Sequence, residues 1–329
     1  MSPTNKPNAR FLVTGTSGFV GTALLDKLCR AGHPVRAVVR GPAPGLRSDI
    51  ETVALGDLTG AVDWASALEG VDVVVHLAAR VHVMQAEGPS ALAEYRRMNV
   101  DVTARLARAA ARAGVKRFVF ASSVKAVGES TAPGERFDES TKPRPVDPYG
   151  LSKLEAEHAL AAETSGTSMS PVVLRPPLMH GPGVGGNLER LARWVRSGIP
   201  LPFGAIDNRR SLLSVHNFCD ALLLASTYPA TAGKTFLVAD EPALSTPDRV
   251  RAMATSMGVK ARLVSAPVVL LRAAAAAAGR RADFDRLAGS LWVDGSEFRR
   301  LSGWQAQTGL QRGLTEWLQP APLAPADQP

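Results

Sequence analysis

Apolar residues in the first half of the chain fall in short, nearly unbroken runs. These are FLVTG (Phe11–Gly15), VRAVVR (Val35–Arg40), ETVALG (Glu51–Gly56), VDVVVHLA (Val71–Ala78), RFVFAS (Arg117–Ser122) and PVVLRP (Pro171–Pro176). Several are apolar at every position, as strands buried on both faces should be. Between them, Gly18–Ala31, Trp64–Leu68, Asn99–Ala113 and Tyr149–Thr164 space their apolar residues as helices do. Such alternation predicts right-handed βαβ units and an α/β fold with a doubly wound parallel sheet. After Pro176 the rhythm changes. Residues 178–210 are rich in Gly, Pro and Arg, and from about Ala243 the elements read as irregular. The expected division is a main domain over 9–178, with 211–241 returning to it. A smaller C-terminal lobe takes 179–210 and 242–319, and disorder is expected for 1–8 and 320–329.

The first strand–helix junction carries chemistry. FLVTGTSGFVGTALLDKL sets Gly15, Gly18 and Gly21 between strand and helix. One glycine serves the sharp turn, one lets the backbone approach a pyrophosphate, and one lets the helix pack on the strand. The helix N-terminus then offers free N–H groups to the anion. The spacing is G-x-x-G-x-x-G, and it predicts a dinucleotide site on a Rossmann-like sheet. At the end of the second strand, VRAVVRGPAPGLRSD offers Arg36 and Arg40 but no acid before Asp49. An acid there would hold ribose hydroxyls, whereas arginine suits a 2′-phosphate, so NADP is favoured over NAD. Asp57, in GDLTG, is placed to approach the adenine, or is an ordinary turn aspartate.

A second stretch, DPYGLSKLEAEHAL (Asp147–Leu160), begins with a capping aspartate and a proline at the first helical position. Tyr149, Lys153, Ala156 and Leu160 share one helix face. A lysine on a face fit for burial is costly unless its charge is used or its stem snorkels.

Composition narrows the classes. The 38 basic residues against 30 acidic ones give +8, and only eight of the basic residues are lysines. No run of five like charges occurs and aromatics make up 5%. A nucleic-acid surface usually needs a basic stripe with stacking platforms, so none is expected. Dispersed arginines suit anionic small molecules. Cys29 and Cys219 lie far apart without metal-ligand spacing, which predicts no metal and a reducing, cytoplasmic setting. No signal peptide is expected from MSPTNKPNAR. The apolar stretch Leu263–Gly279 is broken by Pro267 and Arg272, so a packed helix is expected there in place of a membrane span.

Taken together, TGTSGFVG, GDL, VVVHLAA, NVDVTARLARAA, FVFASSVKAVG, DPYGLSK, LRPPLMHGPG, RRSLLSVHNFCDA and VDGSEFRRLSGW resemble the extended short-chain dehydrogenases/reductases of the nucleotide-sugar epimerase/dehydratase group, from Arg10 to Gln319. HLAARVHVM and SSVKAVGE are similar to a 4-epimerase-like subgroup that includes 4-ketoreductases of UDP-deoxysugars in surface-polysaccharide pathways. The resemblance implies Tyr149 as acid/base and Lys153 as the group that binds the nicotinamide ribose and keeps a positive charge near the phenol. A phenol ordinarily titrates near pH 10, and a neighbouring ammonium should lower it. The resemblance places the catalytic serine at Ser123, five residues before Gly128, and leaves Ser122 structural. It lines the cofactor path with Gly15, Gly18, Phe19, Gly21, Arg40, Asp57, Leu58, Ala78, Asn99, Tyr149, Lys153 and Pro176. Asn99 is a structural asparagine or a helix N-cap. His76 is a core histidine or lies on the cofactor path. Ser123, Asn187 and Arg210, or Arg209 one residue away, are implied on a UDP-sugar. The family also allows a homodimer.

Three departures bear on the reaction. Val124 and Lys125 stand where nucleotide-sugar dehydratases carry Asp-Glu, so 4,6-dehydration is not expected. Ala126-Val127-Gly128 replaces Val-Tyr-Gly and alters the sugar pocket. Arg40 replaces an acidic or neutral residue and tilts the cofactor towards NADP. The leading expectation is therefore reduction of a UDP-4-keto-(6-deoxy)hexose at C4. The alternative is a UDP-hexose 4-epimerase acting on UDP-glucose or UDP-N-acetylglucosamine. A non-catalytic NADP-binding sensor or scaffold is a third reading.

Overall fold

The computed structural model describes residues 9–81 and 89–319. The expectations on 1–8 and 320–329, and the HVM part of HLAARVHVM, lie outside the described residues.

Seven parallel strands form the main sheet: β1 (Phe11–Thr14), β2 (Val35–Val39), β3 (Glu51–Ala54), β4 (Val73–His76), β5 (Arg117–Ala121), β6 (Ser170–Arg175) and β9 (Thr235–Leu237). Their order is β3-β2-β1-β4-β5-β6-β9, so the winding reverses between β1 and β4. That reversal opens a crevice at the carboxyl ends, where ligands of such sheets bind. Two short strands, β7 (Leu178–His180) and β8 (Leu212–Ser214), pair in parallel beside it.

The period-2 geometry of the strands builds two cores at once. Phe11 and Val13 of β1, Val73 and Val75 of β4, and Val119 of β5 point to one face. Leu12, Val74, Phe118 and Phe120 point to the other. All are at most 4% exposed, and each contributes about 1.5–3 kcal/mol on burial. Helices α1 (Phe19–Arg30) and α7 (Val215–Thr227) cover the first face. The second is covered by α2 (Ala65–Leu68), α4 (Val102–Arg112) and α5 (Pro148–Thr164).

Helix α4 does not start at Asn99. The chain is already helical from α3 (Pro89–Tyr95), continues through a π-helical turn over Arg96–Asp101, and runs on into α4. Asn99 is therefore mid-helix and caps nothing. Its buried amide holds two other segments, described below.

The C-terminal lobe also departs from expectation. Stretches read as Gly-, Pro- and Arg-rich or as irregular form α6 (Asn187–Arg196), α8 (Thr246–Met257), α10 (Arg281–Ala288), α11 (Ser296–Ser302) and α12 (Leu310–Leu318), while the packed helix expected over 263–279 is α9 (Val268–Ala277). A third core joins most of them through Leu191, Val195, Val250, Met253, Phe284 and Leu314. Only α8 has a side-chain cap, Ser245 accepting from Asp248 N at 3.1 Å. The N-caps of α9, α10, α11 and α12 are Pro267, Arg280, Gly295 and Gly309, none with a side-chain acceptor, so their starts carry no sequence signal. Helix α9 lies on the surface with Val268, Leu271 and Ala275 packed inward. Among the described residues no helix is long and apolar enough to cross a membrane.

Candidate active site

The glycine turn sits at the point where the sheet reverses. Gly15 follows β1 with φ +72°, and a Cβ there would come 2.7 Å from Ala78 N, just past β4. A Cβ on Gly21 would overlap the Gly15 carbonyl, and one on Gly18 would press it at 3.3 Å. Helix α1 begins at Phe19, with Gly18 as an N-cap that has no side-chain bond and no acid in the first turn. The turn therefore packs backbone against backbone more tightly than a side chain at Gly15 or Gly21 allows, and the first N–H groups of α1 are left without a side-chain cap. This glycine cradle fits a dinucleotide pyrophosphate.

The two arginines beyond it have different fates. Arg36 is 7% exposed. Its Nε donates to Glu51 Oε1 at 2.8 Å, and Nη1 donates to the carbonyls of Ser66, Ala67 and Glu69 at 2.7–3.1 Å. It closes the end of α2 and has nothing left for a phosphate. Arg40 is exposed just past β2, where its charge reaches Asp57. Asp57 Oδ1 accepts from Thr59 N at 2.9 Å, and that bond is the main cause holding its carboxyl below the usual range. The turn is braced by Arg105, which donates to Leu58 O at 2.7 Å.

On the other side of the crevice, the buried Asn99 accepts from Arg80 N (2.8 Å) and donates to Arg80 O (3.1 Å) and to Ser152 Oγ (2.9 Å). It ties the segment after Ala78 to α5. His76 is fully buried, bonded to Thr14 Oγ1 (2.7 Å) and Thr103 Oγ1 (3.0 Å). Burial drives its pKa down to about 3, so it is a neutral core histidine.

Helix α5 starts because Asp147 Oδ1 accepts from Gly150 N at 2.6 Å and Pro148 follows. Lys153 is 1% exposed. Its Nζ donates to Ala121 O at 2.6 Å and lies 4.1 Å from the Phe120 ring centroid. Tyr149, one turn earlier, packs edge-on against Tyr95 at 5.9 Å. Burial pushes the Tyr149 phenol up to about 12, against hydrogen bonding from Ser123, and pushes Lys153 down to about 7, against the charge of Glu157. The lowering of the phenol expected from its lysine is not seen here: burial raises it, and the influence that lowers it is the hydrogen bond with Ser123.

Ser123 follows β5 on a short 3₁₀ turn whose Val124 N donates to the buried Pro176's carbonyl at 2.9 Å. Its Oγ accepts from Lys125 N at 3.2 Å. Lys125 in turn donates to Glu129 Oε1 at 2.7 Å and to Asp147 Oδ2. A side chain at position 150 would overlap the Lys125 carbonyl. Together these contacts clamp the Ser123 turn to the start of α5. Nothing in the spacing of Lys125, Glu129 and Asp147 marks this clamp beforehand.

Asn187 is exposed as the first residue of α6, its Oδ1 accepting from Arg190 Nη2 at 3.0 Å. Arg190 pairs with Asp283, which also holds Arg286. Arg209 turns to Asp207 on the exposed side, while Arg210 is half-buried and donates to Gly289 O at 3.1 Å. Burial lowers Arg210 to about 10 and the neighbouring buried Arg249 to about 9. Arg210, Arg249 and Arg286 make a cationic corner. Arg249 and Arg286 were not foreseen from the sequence.

The profile of the NAD dependent epimerase/dehydratase family matches residues 11–239. The chain belongs to that family. It is 38% identical over 310 residues to a UDP-glucose 4-epimerase of Vibrio cholerae, covering 94% of both chains. It is 29% identical to a ketoreductase of Stigmatella aurantiaca that acts on a farnesyl-dihydroquinoline oxide, covering 81% of this chain and 78% of the relative. Among solved structures, MoeE5 in complex with UDP-glucose and NAD superposes with a TM-score of 0.75 at 28% identity, covering 94% of this chain and 97% of that one. The protein is an NAD-dependent enzyme of the short-chain dehydrogenase/reductase type, and the epimerase relative fits it over more of its length than the ketoreductase does.

Proposed function

We propose that the protein is a UDP-hexose 4-epimerase using NAD, which it keeps through each turnover. The observation that carries this reading is that Ser123 hydrogen-bonds Tyr149 and Lys153 is bonded to the end of β5, on the same carboxyl edge of the parallel sheet as the glycine turn after β1. Likeness to the Vibrio cholerae epimerase over 94% of the chain supports epimerisation ahead of net reduction. The capture of Arg36 by Glu51 and by α2 removes one of the two arginines that favoured NADP, and the NAD in MoeE5 agrees with that.

In this reading Gly15, Gly18, Gly21 and Phe19 hold the pyrophosphate, Asp57 and Leu58 flank the adenine, and Ala78, Asn99 and Pro176 shape the path to the nicotinamide. Arg210 and Asn187 hold the UDP diphosphate, where a guanidinium fork can donate twice. Ser123 hydrogen-bonds the sugar O4 and sets it against Tyr149. When bound, the dinucleotide supplies a hydride acceptor and then a donor. Tyr149 takes the proton of the C4 hydroxyl as that carbon becomes a ketone. The sugar turns within the pocket, and Tyr149 returns the proton as C4 is reduced on its other face. Lys153 holds the ribose hydroxyls and places a positive charge beside the phenol, favouring phenolate at the moment of transfer. A deuterium at C4 of UDP-galactose tests this. It stays at C4 of the UDP-glucose formed if the same hydride is returned, and passes to the cofactor pool if the protein is a net oxidoreductase.

A further inference from the structure

Behind the lysine lies a buried ion pair that the reaction scheme does not use. Tyr149, Lys153 and Glu157 stand at successive turns of α5 on one face. Glu157 and Arg175 are 7% and 8% exposed. Arg175, at the end of β6, donates to Glu157 through Nε (3.0 Å to Oε1) and Nη2 (2.6 Å to Oε2). Ser122 Oγ donates to the same Oε1. Ser122 lies between Ala121, whose carbonyl accepts from Lys153, and Ser123. The carboxylate therefore joins the ends of β5 and β6 to the helix that carries the tyrosine and lysine.

Deepening the proposed function and resting on its acid/base pair, we infer that Glu157 is a positioning residue that keeps the ammonium of Lys153 charged and in place beside Tyr149. The remaining groups around the lysine do not supply this. His76 on β4 is neutral. Lys125, on the turn after β5, is engaged with Glu129 and Asp147. Tyr95 on α3 is a phenol, and Glu155 and Glu163 of α5 pair outward with Arg96 and Arg108. Burial pulls the Lys153 charge off, and the negative charge of Glu157 opposes it. Tyr149 and Lys153 share one proton in the working state, as phenolate with ammonium or as phenol with amine. A carboxylate behind the lysine favours the first arrangement, the one that can accept the C4 proton.

The test uses the full chain with Glu157→Gln, which preserves shape, and the double variant Glu157→Gln/Arg175→Gln, which leaves no unpaired charge. The Lys153 titration is followed by NMR of labelled lysine Cε with NAD bound, and kcat and KM are measured against pH. In Glu157→Gln the lysine midpoint and the alkaline limb of kcat move to lower pH by about one unit, and in the double variant, which also loses the Arg175 cation, they move the same way by less. The kcat plateau falls about tenfold for each unit, since a unit of pKa is a tenfold change in the proton distribution. KM stays within about twofold, since Glu157 does not touch the sugar. A folded double variant whose lysine midpoint and alkaline limb stay where they were overturns the inference. The NMR reading requires no turnover, so absence of epimerase activity in the wild-type protein would refute the proposed function while leaving this test intact.

Discussion

Lys153→Met separates what the lysine costs the fold from what it does for the chemistry. Burial holds the ammonium at about 7, against 10.5 for an ordinary lysine. Below about pH 7 both folded and unfolded chains are protonated, and the folded one bears the whole burden of a buried charge. Between about 7 and 10.5 the unfolded chain binds the extra proton, so stability rises with pH across that window. The difference of about 3.5 units (10.5 less about 7) at about 1.4 kcal/mol each makes a burden of roughly 5 kcal/mol. Methionine fills a similar volume and forfeits the bond to Ala121 O, about 1 kcal/mol. The variant should therefore be about 2–4 kcal/mol more stable at neutral pH, a gain of roughly 3–6 °C in Tm. Thermal unfolding of both proteins between about pH 6 and pH 10 measures this. The gap should be widest at the acid end and close towards the alkaline end, while NAD affinity and turnover are lost. A variant less stable at neutral pH, or a gap that does not change with pH, would refute the reasoning.

Four further outcomes follow from the site. Tyr149→Phe should reduce turnover by about 10²–10⁴ with NAD binding intact, because it removes only the proton-transfer group; steady-state rates beside an NAD titration check it. Gly21→Ala should abolish NAD binding, since its methyl overlaps the Gly15 carbonyl; calorimetry reads the loss. Arg210→Ala should raise KM for the UDP-sugar about tenfold to a hundredfold, as expected from losing a charge-assisted hydrogen bond of about 1.5–3 kcal/mol. Arg209→Ala, whose guanidinium faces Asp207, should leave KM near its original value.

The sheet was legible because its central strands are apolar on both faces. Phe11 to Val13 and Val73 to Val75 point alternately into two cores, so no polar residue interrupts either run. The cradle was legible because only glycine tolerates the approach of Gly15 to Ala78. Arg36 and Arg40 looked alike in sequence because a strand's end and its middle are indistinguishable without the partner elements; the carbonyls of α2 decide between them. Glu157 and Arg175 lie on different elements 18 residues apart, and Lys125 meets Asp147 across 22. No local spacing records such pairings, which arise only when β5, β6 and α5 pack. Apart from α9, which its apolar run announced, the last helices escaped for the opposite reason: α10, α11 and α12 have packing faces but starts without capping side chains.

The central claim is that the cofactor is returned unchanged at the end of each turnover. Purified protein is incubated with UDP-galactose and UDP-N-acetylgalactosamine, with NAD far below the sugar concentration and no reductant, and both C4 epimers and reduced cofactor are followed. A second arm offers a UDP-4-keto-6-deoxyhexose with excess NADPH. The account predicts many interconversions per NAD in the first arm, with no net change in reduced cofactor. Absence of interconversion there, with one NADPH consumed for each 4-keto sugar reduced in the second, would contradict it.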